Sequence, residues 1–239
     1  MPNILWLTSV NTPFPKVTAA QRKPNGLLAA GGSLTVGRLI SAYRQGIFPW
    51  YSDYQPILWW SPDPRFVLYP ERLKISRSLR QSMRNRGYRV SIDTAFPTVI
   101  EACAGPRAGA YGTWITSEML RAYVALHKAG VAHSVETWQG DDLVGGLYGV
   151  SLGRIFCGES MFSRQTDASK VAFAHLVHQL RAWEFGLIDC QVPTEHLKSL
   201  GAESISRNSF IQSLHTLSKL PEPPWKAGDL VNSVTLHQN

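Results

Sequence analysis

Ala132-His133-Ser134-Val135-Glu136-Thr137-Trp138-Gln139-Gly140-Asp141-Asp142-Leu143-Val144-Gly145-Gly146-Leu147-Tyr148-Gly149-Val150 reads as two strands, Ala132–Trp138 and Leu143–Val150. Between them, Gln139-Gly140-Asp141-Asp142 has the composition of a hairpin turn. A third strand follows at Arg154–Met161, then a helix over Ala168–Trp183 and a strand at Leu187–Gln191. Consecutive antiparallel strands, then helix, then strand, describe an α+β fold whose mixed, largely antiparallel sheet carries helices packed on it.

Upstream, the elements also alternate. A short strand at Phe66–Leu68 precedes a helix over Ser76–Asn85, a strand at Tyr88–Ile92 and a helix at Phe96–Ala104. A Gly-rich loop, Gly105–Gly112, leads to a helix over Ser117–Lys128 that Gly130 ends. Residues 1–64 are rich in Pro, Gly and Trp and form a small N-terminal domain. Their one clear helix, Val36–Gln45, has Thr35 as N-cap, Gly46 as its stop, and Leu39, Ile40 and Tyr43 on one face. Pro56, Pro62 and Pro64 exclude regular helix at its end and mark a shaped boundary. The larger domain spans 65–220, with a last helix at Asn208–Leu217. The Pro-rich tail, 221–239, reads as unstructured.

Composition narrows the function. A hydrophobic fraction of 44% is that of a globular protein. No apolar run is long enough for a membrane span, and Met1–Val10 lacks the pattern of a secretory signal. Cys103, Cys157 and Cys190 form no C-x-x-C pair, so neither a disulfide framework nor a zinc site is indicated, and a reducing cytoplasm fits best. A net charge of +7 points to a polyanionic partner, nucleic acid before membrane.

That charge is densest from Arg72 to Arg89, where Arg72, Lys74, Arg77, Arg80, Arg84, Arg86 and Arg89 occur with no acid among them. On a helix, Ile75, Leu79 and Met83 share one face and Arg77, Arg80 and Arg84 another. Such a row suits RNA phosphates; a solvated face is the plainer reading, though it normally mixes signs. Trp50, Trp59, Trp60 and Trp114 fall in loops or at boundaries, where an indole can stack on a base or simply fill core.

Two acids stand in apolar strands. Asp189 and Gln191 lie two apart, on one face of Leu187–Gln191, where they could hold and polarise a nucleophile; a structural Asp satisfied by the following loop is the alternative. Glu159, in Phe156-Cys157-Gly158-Glu159-Ser160-Met161-Phe162-Ser163, calls for a cationic partner. The same segment lacks the second glycine of a G-x-S-x-G nucleophile elbow. His175 and His178 have helical spacing but no companion ligands and read as surface residues. No phosphate-binding G-x-x-x-x-G-K-[ST] is present, so an acyl-transfer enzyme here must receive an activated donor.

Several ordered segments carry a resemblance. Pro24-Asn25-Gly26-Leu27-Leu28-Ala29, Gly46-Ile47-Phe48-Pro49-Trp50, Trp59-Trp60-Ser61-Pro62-Asp63-Pro64-Arg65 and Cys157 through Arg164, with Ala168-Ser169-Lys170, Leu187 through Gln191 and Ser199-Leu200-Gly201-Ala202, resemble the leucyl/phenylalanyl-tRNA–protein transferases. The likeness runs from about Phe14 to Leu217. It implies a larger domain of GNAT-like acyltransferase fold in a cytoplasmic enzyme; a monomer is the expectation for the chain. It further implies transfer of Leu or Phe, less readily Met, from aminoacyl-tRNA to proteins beginning with Arg or Lys, which marks them for N-degron-dependent proteolysis. No metal or other cofactor is implied. By position, the resemblance assigns the terminal adenine to Trp50 and Trp114, and the aminoacyl side-chain pocket to Leu147, Phe156, Gly158, Phe173 and Ile188. It gives the protein substrate's cationic residue to Glu159, with Tyr43 and Tyr123 nearby, and catalysis to Asp189 and Gln191. Two rival classes remain: an acyl-CoA-dependent N-acyltransferase, for which Ser163–Ala168 lacks the expected glycines, and a non-catalytic RNA-binding protein, which leaves Asp189 and Gln191 without a purpose.

Overall fold

The computed structural model describes residues 4–105 and 115–230. The small N-terminal sheet is built from β1 (Leu5–Leu7), β2 (Leu27–Gly31), β3 (Phe48–Pro49) and β4 (Leu58–Trp60), with helix α1 (Val36–Tyr43) between β2 and β3. Its order is β1-β2-β4-β3, with β1 parallel to β2 and the other pairs antiparallel. Thr35 caps α1, its hydroxyl accepting the Arg38 N–H.

The second sheet takes the rest of the chain. Along it come β5 (Arg65–Leu68), α2 (Arg77–Asn85), β6 (Arg89–Ile92), α3 (Phe96–Ala104), α4 (Ser117–Lys128), β7 (Ala132–Gln139), β8 (Asp142–Leu152), β9 (Ile155–Ser163), α5 (Ala168–Ala182), β10 (Leu187–Gln191), α6 (Glu195–Ser199), β11 (Glu203–Ile205), α7 (Arg207–Leu217) and β12 (Gly228–Asp229). The eight strands lie in the order β11-β5-β10-β9-β8-β7-β6-β12. The β7–β8–β9 meander is antiparallel, as its sequence predicts, and β7 turns into β8 through Gly140 and Asp141, with Gly140 at φ +60°. The fold is α+β.

Strand alternation sends side chains to two cores. In β8, Leu147 joins the core under α5 and α2, with Val171, Leu176 and Leu79, while Tyr148 packs on Phe96 of α3 and Tyr123 of α4. Each apolar side chain fully buried in this way contributes about 1.5–3 kcal/mol. The α3/α4 core is continuous with that of the small sheet, joining Trp59, Leu39 and Phe48 to Phe96 and Tyr123. The α5 helix approaches β8 closely because Gly145 has no side chain: a Cβ there would stand 2.5 Å from that of Ala168.

Three expectations need correction. Trp59 is not a loop indole; it is wholly buried in β4, donates to the Gly31 carbonyl at 2.8 Å and meets Phe14 edge-on. His175 is buried rather than superficial, with Nδ1 2.9 Å from the Val171 carbonyl, and burial pushes its pKa down. Residues 221–230, read as the start of an unstructured tail, form a strap over the sheet. Glu222 accepts from the Ser151 hydroxyl and the Gly153 N–H, Trp225 stacks on His133 at 3.9 Å and touches Trp183 and Phe185, and β12 extends β6. Aromatic area, not chain regularity, fixes this segment. Among the described residues, no helix is long and apolar enough to cross a membrane.

Candidate active site

The strand β10 is parallel to β9 but pairs with it only from Leu187↔Ile155 to Asp189↔Cys157, although β9 runs on to Ser163. Two irregularities coincide with the parting. Pairing of β8 with β9 shifts between Tyr148 and Gly149, and pairing of β10 with β5 shifts between Asp189 and Gln191, where Gln191 has φ +63°. A cavity of about 460 Å³ opens in the gap.

One wall of the cavity comes from the α5 side of the sheet. Leu147, Phe156, Gly158, Phe173 and Ile188 all line it, together with Met161 and Leu197. These five are the positions that the sequence resemblance assigned to a side-chain pocket. The opposite wall comes from the α4 side and holds Glu159 and Gln191, while Trp50 lies at the edge, 41% exposed. The Trp50 carbonyl accepts from the Trp60 indole at 2.6 Å, and the two rings meet at 5.7 Å. Trp114 lies outside the described residues.

Glu159 is held by neutral donors. Tyr43 Oη donates to Oε1 at 2.7 Å, Tyr123 Oη to Oε2 at 2.9 Å, and Gln191 Nε2 to Oε1 at 2.7 Å; the two phenol oxygens are also in contact, so either hydroxyl can turn its one proton to the other phenol instead of to Glu159. Burial pushes the Glu159 carboxyl up to about 7, despite those hydrogen bonds. Both phenols are pushed well above their ordinary value, first by burial and then by the Glu159 charge, so they remain donors. A carboxylate has about four acceptor positions and three are filled here, leaving room for a donor arriving from the cavity. Tyr43 and Tyr123 themselves are 2% and 0% exposed; they stand behind Glu159 and do not line the cavity.

Asp189 stands further back than Glu159. It does not line the cavity and is not exposed at all. Arg65, 1% exposed, donates from Nε to Oδ1 at 2.8 Å and from Nη2 to Oδ2 at 2.6 Å, and the Gln191 N–H donates to Oδ1 at 2.9 Å. Alternation does put Ile188 and Cys190 on the other face, toward the cavity. The bulge then frees Gln191 to turn its carboxamide to Glu159. Sequence reasoning missed Arg65. The available signal was a lone arginine opening the apolar run Phe66-Val67-Leu68, which demands a buried acid. Burial pushes the Cys157 and Cys190 thiols well up, so neither supplies a thiolate nucleophile near neutral pH.

The arginine row lies apart from the cavity. On α2, Arg77, Arg80 and Arg84 are exposed while Leu79 and Ser82 are buried, and Ser76 caps the helix. Among the described residues none of the three pairs with a carboxylate, whereas Arg72 and Arg89 pair with Glu203 and Asp229 at 2.6 Å. The row is therefore fixed in place, unneutralised and open to solvent.

The geometry can be set beside known proteins. A family model described as leucyl/phenylalanyl-tRNA protein transferase matches residues 67–215, and one for the N-terminal domain of the same proteins matches 32–63. A leucyl/phenylalanyl-tRNA–protein transferase of Stutzerimonas stutzeri is 58% identical over 225 residues, covering 94% of this chain and all of that protein. One from Nitrosomonas europaea is 59% identical over 211 residues, 88% of this chain and 89% of its own. Among solved structures, L-PGS from Bacillus licheniformis is 10% identical at a TM-score of 0.40, over 71% of this chain and 53% of that one. A GCN5-related N-acetyltransferase from Kribbella flavida is 11% identical at 0.33, over 70% and 60%. With both family models matched in order and identity near 58% across almost the whole length, the chain belongs to the leucyl/phenylalanyl-tRNA–protein transferases, a family of aminoacyl-transferring enzymes.

Proposed function

We propose that this chain moves Leu or Phe, and less readily Met, from aminoacyl-tRNA to the α-amine of proteins that begin with Arg or Lys. In this reading it works as a cytoplasmic monomer and marks those proteins for N-degron-dependent proteolysis. The observation that carries the reading is the meeting of two unlike walls across the split between β9 and β10. Leu147, Phe156, Phe173 and Ile188 offer an apolar slot to the donor's side chain, and Glu159 offers an acceptor to a cation. Shape, not polarity, must exclude β-branched donors, because one methylene is worth only about 1–3 kcal/mol.

The chemistry is aminolysis of an ester. The incoming α-ammonium loses a proton, its nitrogen attacks the ester carbonyl, and the ribose oxygen leaves with a proton. With an α-amine pKa of about 8, the nucleophile is mostly protonated at neutral pH. Gln191 gives its NH₂ to Glu159, which leaves its own Oε1 free to accept from the amine. Glu159 holds the substrate's positive charge, Tyr43 and Tyr123 orient Glu159, and Asp189 acts on Gln191 through its N–H. The donor is already activated, so holding both partners at bonding range supplies most of the acceleration. Trp50 and Trp114 take the terminal adenine, and Arg77, Arg80 and Arg84 take phosphates of the tRNA.

The test is incubation with Phe-charged tRNA and an Arg-initiated peptide, with Gly-initiated peptide and acetyl-CoA as controls. Phe-extended peptide from the first pair alone is expected. Acetylation would favour the acyl-CoA reading, and RNA binding without transfer would favour a non-catalytic protein.

A further inference from the structure

Arg65 reaches farther than any ion pair needs. Besides its two bonds to Asp189, it donates from Nη1 to the Gly46 carbonyl at 3.2 Å. Its guanidinium lies over the rings of Phe48 and Phe210, at 4.8 and 4.6 Å. The small sheet, β5 and α7 therefore all fix the position of one planar cation. That cation holds Asp189, and Asp189 Oδ1 holds the N–H of Gln191. Gln191 stands in the left-handed region, which a side chain other than glycine adopts only where its surroundings over-determine it. From that strained backbone its carboxamide reaches Glu159 at the cavity wall.

We propose that Arg65 is a positioning residue for the transfer reaction. By clamping both oxygens of Asp189, it keeps the β10 bulge in the one conformation that presents the Gln191 carboxamide to Glu159 and the incoming amine. The proposal rests on the transferase reading above. Lysine cannot replace arginine here, because an ammonium is a point donor and cannot hold two carboxylate oxygens in a fixed plane. Arg65 touches neither substrate, so its effect falls on turnover and not on tRNA affinity.

The experiment compares wild type, Arg65→Lys, and the double variant Arg65→Met with Asp189→Asn, which removes both buried charges together. Three quantities are read: steady-state transfer of Phe to an Arg-initiated peptide, thermal midpoint, and hydrogen exchange of the Gln191 N–H by NMR. Arg65→Lys is expected to lower kcat at least tenfold, to leave KM for Phe-tRNA within twofold, and to speed exchange at Gln191 at least tenfold with Ile188 unchanged. The double variant is expected to regain a midpoint near wild type while the Gln191 N–H still exchanges fast, whereas exchange that merely followed global stability would return to the wild-type rate. The proposal is overturned by an Arg65→Lys enzyme within twofold of wild-type kcat, by unchanged Gln191 exchange, or by an Arg65→Lys chain that does not fold. A wild type inactive with this donor and acceptor would instead defeat the transferase reading, and the exchange measurement would still decide the clamp.

Discussion

Replacing Glu159 by Gln separates stability from function with a defined sign. The folded protein raises the Glu159 carboxyl from its ordinary 4.5 to about 7, chiefly by burial. Between those values the folded state binds a proton that the unfolded chain releases. Stability contributed at this site is therefore greatest below about pH 4.5, declines as pH rises toward 7 and is flat above it. The interval corresponds to about 3 kcal/mol of penalty for the ionised form. The carboxamide that Glu159→Gln introduces is neutral at every pH, and the surrounding groups can accommodate it. Its oxygen can accept from Tyr43 and Gln191, as Oε1 does now, and its NH₂ can donate to Tyr123, whose hydroxyl then donates to Tyr43. At pH 8 the variant should be more stable than wild type by up to about 3 kcal/mol, or about 6–12 °C in thermal midpoint for a chain of this size. Near pH 4.5 the two should coincide. The same substitution should cut transfer to an Arg-initiated peptide by at least tenfold at pH 8, since no anion remains to meet the cation. Thermal melts of both proteins across pH 4.5–8 decide the matter: a midpoint difference that does not change with pH, or a variant less stable at pH 8, refutes the reasoning.

Gly158→Ala should fold normally, because a Cβ there would meet only the Asp189 carbonyl, at 3.7 Å, and the backbone is not left-handed. Its methyl enters the cavity and should lower kcat/KM for Phe more than for Leu, by about tenfold in the ratio; an unaltered ratio would remove Gly158 from the specificity wall. Replacing Arg77, Arg80 and Arg84 together by Ala should weaken tRNA binding and flatten its dependence on salt, a change of slope readable in a titration series, and a slope equal to that of wild type would take α2 off the RNA. Trp225→Ala should cost about 2 kcal/mol in urea unfolding, less than for a fully buried indole because Trp225 is only half-buried, and a loss below about 0.5 kcal/mol would mean the strap does not hold the sheet.

The split between β9 and β10 explains why the site sits where it does. A sheet bonded continuously across these strands would leave no opening between its two faces, whereas parting after Cys157 and Asp189 joins the α5 side to the α4 side. The strap bears on the same region from behind: Trp225 lies 6.0 Å from the ring of Phe156, itself a cavity wall. The wall that receives the donor side chain is therefore supported by residues that its own neighbourhood in the chain does not supply.

Local pattern was enough for much of this protein. The β7–β8–β9 meander, its turn at Gly140 and Asp141, helix α4 at Ser117–Lys128 and the two-sided α2 all follow from periodicity and caps that act over a few residues. The short strands β1 to β4 did not, since runs of two to five residues show no period and take their shape from pairing. Nor did the roles of Asp189 and Glu159. Sequence marked Asp189 and Glu159 as costly, but Arg65 stands 124 positions from the first and Tyr43 stands 116 from the second. A buried charge states that it needs a partner; which partner it has is decided only when strands far apart in the chain are brought side by side.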